Sequence, residues 1–88
     1  MIMDRKIFSL NLSVEATSAY ILICTLADSG APVTIESAET FWNDSPEALT
    51  RAIEELNRHQ IIYEQLDANK MQQYFVNPSD LWKTSVVQ

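Results

Sequence analysis

Eighty-eight residues leave room for one hydrophobic core, because a second would be too small to hold. With 47% hydrophobic and 20% charged residues, the composition is that of a globular domain and excludes a disordered chain. The one cysteine, Cys24, excludes an intrachain disulfide and a multi-cysteine metal site, and a formal net charge of −6 opposes the non-specific attraction to phosphate that underlies most nucleic-acid binding.

The opening Met1-Ile2-Met3-Asp4-Arg5-Lys6 lacks the apolar run of a signal peptide, and the apolar stretch Ala19 to Cys24 is far short of the ~20 residues that span a bilayer. A cytoplasmic location, away from the membrane, is therefore expected. The single glycine and three prolines punctuate one domain over residues 1–88, with 1–12 as an N-terminal arm or strand and 84–88 as a flexible tail. Within the arm, Phe8, Leu10 and Leu12 alternate with polar residues at the period of a half-buried strand.

Ser13 can cap a first helix that carries Glu15 in its first turn and runs to about Asp28, where Gly30 stops it. Ala16, Ala19, Leu22, Ile23, Leu26 and Ala27 form its inner face, and Tyr20, Ile21 and Cys24 widen the apolar surface enough to suggest a partner chain. Ala31-Pro32-Val33 reads as an extended link. Thr34 then caps a short helix with apolar positions Ile35, Ala38, Phe41 and Trp42.

A third helix opens with Ser45 as cap, Pro46 where its missing N–H costs nothing, and Glu47 in the first turn. Leu49, Ala52, Ile53 and Leu56 line its buried side, and Glu47 with Arg51, Arg51 with Glu55 and Glu54 with Arg58 pair on the outside. After His59 the period becomes two. Ile62, Glu64 and Leu66 face one way and Ile61, Tyr63 and Gln65 the other, Asp67-Ala68-Asn69-Lys70 makes a turn, and Met71 to Asn77 returns as a second strand. Pro78 ends that strand, and Ser79 or Asp80 starts a last turn that brings Leu81 and Trp82 back to the core.

This order of elements resembles a winged helix-turn-helix domain: an α+β fold with a three-helix core and a C-terminal two-stranded β-hairpin wing. Ser45-Pro46-Glu47-Ala48-Leu49-Thr50-Arg51, running on through Leu56 to Ile61-Ile62, is similar to the recognition helix and first wing strand of many bacterial regulators. Tyr74-Phe75-Val76-Asn77-Pro78 followed by Leu81-Trp82-Lys83 is similar, over a shorter stretch, to the wing of plasmid and phage replication proteins of the RepL type. The resemblance implies that the third helix enters a DNA groove, with Ser45, Thr50, Arg51 and Glu47 near base edges, Arg58 near phosphate, and Asn69 and Lys70 at the wing tip. One departure from that pattern is charge, since the third helix sets Arg51 and Arg58 against Glu47, Glu54 and Glu55.

No catalytic or metal centre is expected, and no cofactor. His59 is alone near a helix end, Cys24 sits in an apolar pattern, adjacent Glu54 and Glu55 do not point at one site, and Gly30 makes no phosphate-binding loop. Trp42, Phe41 and Trp82 read as core or subunit-contact aromatics. Two functions fit: a winged-helix DNA-binding protein, a small transcriptional or plasmid/phage-type regulator acting on double-stranded DNA as a homodimer, or an acidic winged-helix protein–protein interaction module that does not bind DNA.

Overall fold

The computed structural model describes residues 4–83, so the 84–88 tail and the first three residues of the arm lie outside the described residues. In chain order it comprises a 3-10 turn (Arg5–Ser9), helices α1 (Val14–Asp28), α2 (Ile35–Phe41) and α3 (Pro46–Arg58), strands β1 (Ile62–Leu66) and β2 (Gln72–Val76), and a closing 3-10 turn (Ser79–Leu81). Three helices followed by an antiparallel hairpin give the α+β layout of a winged helix. No helix among the described residues is long and apolar enough to cross a membrane.

Each helix begins where a side chain satisfies an otherwise unpaired backbone N–H. The hydroxyls of Ser13 and Ser45 accept from the N–H groups of Ala16 at 3.0 Å and Ala48 at 3.1 Å, while Thr34 and Ser37 form a reciprocal capping box. α1 stops at Gly30, whose φ of 84° suits a residue without a Cβ and whose N–H donates to the Ala27 carbonyl. α3 ends differently. Gln60 takes the left-handed conformation at φ 58°, its N–H donates to Asn57, and the Ile61 N–H reaches back to Leu56 at 3.0 Å. Leu56 and Ile61, both fully buried, form the apolar contact that accompanies this stop, so the Leu56 to Ile61 spacing is what turns the chain from helix into wing.

The hairpin pairs Ile62 with Val76, Glu64 with Tyr74 and Leu66 with Gln72 on one face, and Tyr63 with Phe75 and Gln65 with Gln73 on the other. Ile62 and Tyr74 turn the first face inward, while Tyr63 and Phe75 stack on the other with ring centroids 5.3 Å apart. The outer edge of β2 is tied to the link between α1 and α2 by a bond from the Tyr74 N–H to the Val33 carbonyl at 2.8 Å, which gives the Ala31-Pro32-Val33 link its place. At the base of the wing, Asn77 donates through its backbone to Ile61 and through its side chain to Gln60, and accepts from the Trp82 indole at 2.9 Å.

Three expectations are corrected. The arm is not a strand: the Asp4 carboxylate caps Lys6, Ile7 plugs the core at 1% exposure, Phe8 is exposed, and Asn11 at φ 57° breaks the alternation before Leu12. The face of α1 is rotated, with Tyr20 and Cys24 fully in the core and Leu22, Leu26 and Ala27 half-buried. Tyr20 reaches that position because its hydroxyl accepts from the Asp4 N–H at 2.8 Å and its ring meets Trp82 edge-on at 5.6 Å. Phe41, expected on the inner side of α2, is 61% exposed, while Ala38 is the residue of α2 that is buried in the core.

Candidate helix–wing interface

α3 presents three strips to solvent, and the helical period of 3.6 decides which residues share each. Thr50 and Asn57 face the wing, where they line a groove with Ile35, Ile53, Glu54, Glu64, Gln72 and Tyr74. Arg51 and Arg58 fall on the opposite flank, in a crevice with Ser13, Glu15 and Glu55 at the start of α1. Glu54 stands on the crest between them and borders both. Arg51 and Arg58 thus lie across Glu54 from the strip that faces the wing, and Arg58 also shares a shallow depression with Glu54 and Asn57.

The groove itself is acidic. Glu64 enters it because it shares the inward face of β1 with Ile62, and it accepts from the Gln72 side-chain amide across the hairpin. Tyr74 at the floor has its hydroxyl pKa raised by burial and further by the charges of Glu64 and Glu36, so two carboxylates act on one point. Among the described residues no lysine or arginine lines this groove. The Thr50 hydroxyl is occupied, donating to the Pro46 carbonyl at 3.1 Å within α3, and Ser45 is committed as the cap of α3. Glu47 is exposed on the first turn of the helix.

At the wing tip the Asp67 carboxylate accepts from the N–H groups of Asn69 and Met71 and from the Gln73 amide. The Met71 bond foremost lowers its pKa, against a smaller opposing effect of desolvation. This cap holds Lys70 in the left-handed conformation at φ 61°, exposed at the end of the hairpin with Asn69 beside it.

The Arg51 flank contains a contact the sequence did not suggest. Glu55, read as a partner of Arg51, turns to α1, where its two oxygens accept from the Ser13 N–H at 3.0 Å and the Ser13 hydroxyl at 2.8 Å. Burial would raise the Glu55 pKa, but the two Ser13 bonds with the charges of Arg58 and His59 outweigh it and leave the carboxyl below its ordinary range. A group depressed in the folded state stabilises the fold above its unfolded pKa and loses that contribution as pH falls through the folded value. Urea titrations at about pH 6 and about pH 3 should therefore show a larger loss of stability for the wild-type chain than for Glu55→Gln. Equal losses would remove the clamp from the account of α1–α3 packing.

His59 and Cys24 have structural places. The His59 ring Nδ1 lies 2.8 Å from the Lys83 carbonyl, and the Lys83 N–H donates back to the His59 carbonyl, so this pair anchors the C-terminal turn to the end of α3. Cys24 is buried, and that burial raises its thiol pKa. Among the described residues no group of three or more His, Cys, Asp and Glu is gathered in a way that would hold a metal ion.

Comparison with protein-family models, with curated proteins and with solved structures finds no match to this chain.

Proposed function

We propose that the chain is a winged-helix protein-interaction module whose helix–wing face takes a lysine- and arginine-bearing segment of another protein. The observation that carries this reading is the groove between α3 and the hairpin, which Glu54 and Glu64 line and which, among the described residues, no lysine or arginine lines. In a DNA-reading winged helix the third helix enters the major groove, which brings its flanks close to the phosphate backbone. A carboxylate and a phosphate ~6 Å apart repel by about 0.7 kcal/mol in bulk water and about 3 kcal/mol at the effective dielectric of a protein surface. A lysine or arginine at the same place is attracted by as much, which speeds encounter and selects partners of the right sign.

Duplex DNA is the second reading, supported by the exposure of Arg51 and Arg58 and by Lys70 at the wing tip. A mobility-shift titration against random duplex DNA at low and moderate salt separates the two. The interaction reading expects no complex into the tens of micromolar, roughly the affinity of ordinary non-specific DNA binders. A complex that weakens steeply with salt, and that loses about one unit of salt slope on removal of Arg58 or Lys70, would replace the interaction reading with the DNA one.

A further inference from the structure

A second groove lies away from the helix–wing face, between the first turns of α1 and the end of α2. Val14 and Leu22 from α1 and Phe41 and Trp42 from the end of α2 give it an apolar lining, with Glu15 and Asp44 at its rim. Val14 is 79% exposed and Phe41 61%, while Leu22 and Trp42 are half-buried. Trp42 is held in place, its indole N–H donating to the Ser45 carbonyl at 3.1 Å. Large apolar side chains left this open around one groove mark an interaction surface.

We infer that this groove docks an amphipathic helix of a partner protein, with apolar residues at i, i+3 or i+4, and i+7, flanked by lysine or arginine. The eight helical steps from Val14 to Leu22 cover ~12 Å of the α1 axis, close to the length of an i to i+7 stripe on a docked helix. Charge decides between occupants. Glu15 and Asp44 are the only charged residues lining the groove among those described, so flanking cations complement it. A second copy of the chain docked by the same face would set Glu15 and Asp44 against their own counterparts. The inference rests on this groove alone and is independent of the helix–wing reading.

The test uses the full chain labelled with nitrogen-15 and a synthetic helical peptide with leucines at i, i+3 and i+7 and lysines elsewhere. The expected result is a shift of the Trp42 indole N–H and of the Ser18 and Leu22 amides, with the buried Trp82 indole unmoved. Phe41→Ser, at a position outside the core, should weaken binding about tenfold or more. Glu15→Gln with Asp44→Asn should weaken it several-fold, and a peptide with glutamate in place of every lysine should not bind. A plain oligolysine, without leucines, should leave Trp42 unmoved even where it shifts Glu54 and Glu64, which keeps failure here distinct from failure of the helix–wing reading. The inference is overturned if the leucine–lysine peptide leaves Trp42 unmoved, or if the glutamate peptide binds as well. It is overturned equally if sedimentation shows the free chain to be a dimer that Phe41→Ser dissolves, since a second copy would then be the occupant.

Discussion

Replacing Trp82 with alanine is expected to lower the unfolding free energy by about 3–5 kcal/mol, the usual cost of removing a buried aromatic side chain. The ring is 6% exposed and packs edge-on against Tyr20, while its N–H donates to the Asn77 carbonyl. Asn77 is in turn bonded to Gln60 and Ile61 at the stop of α3, so one side chain joins α1, the end of α3 and the base of the wing. A domain of this size holds about 5–15 kcal/mol in all, so the variant should be close to unfolding in dilute urea. Trp82→Phe keeps most of the ring and loses the donor, and should cost nearer 1–2 kcal/mol, roughly a hydrogen bond plus a small cavity. If alanine costs less than about 1 kcal/mol, the closing turn is not part of the core and the wing is not fixed against α3 in the way described.

The second large effect concerns the charge of the interface. Glu54→Lys together with Glu64→Lys changes the groove by four units of charge without touching the core, since both residues are exposed. The double variant should gain duplex-DNA affinity of about tenfold or more at low salt, with a salt slope close to two units steeper than that of the wild-type chain. It should lose affinity for oligolysine in the same measure. Circular dichroism should show the fold unchanged, because surface substitutions of this kind usually fall within about 0.5 kcal/mol. A double variant that gains nothing on DNA would show that this groove does not control the choice between phosphate and cation.

The fold was legible wherever a local rule fixed a backbone group. Ser13, Thr34 and Ser45-Pro46 each mark a helix start by the side chain that satisfies its N–H groups, and Leu56 with Ile61 marks the exit from α3. The arm was not legible because its alternating Phe8, Leu10 and Leu12 are also compatible with a capped turn, and only the fit of Ile7 into the core decides between them. The orientation of α1 escaped for a related reason. That helix is apolar almost all round, and a contact sixteen residues away, from Asp4 to Tyr20, selects which side is buried.

The candidate site was legible in its parts but not in its assembly. Thr50, Arg51 and Arg58 are exposed on α3 as the period requires, yet the packing of the hairpin determines that Thr50 faces the wing and the two arginines face α1. Glu64 went unnoticed as a groove residue, although its place on the same strand face as Ile62 was available from the alternation. Glu55 shows the limit of reading ion pairs from (i, i+4) spacing: two hydrogen bonds from Ser13, remote in sequence, outcompete a surface pair worth about 0.2–0.5 kcal/mol.

The most direct measurement is a parallel titration of the nitrogen-15-labelled chain with oligolysine and with random duplex DNA at about 50 mM salt, where phosphate attraction is strong. Shifts at Thr50, Glu54, Asn57, Glu64 and Gln72 with oligolysine, and none with DNA, are the expected result. Shifts at these residues together with Arg51, Arg58 and Lys70 on adding DNA, fading as salt is raised, would contradict the assignment of this face to a basic protein segment.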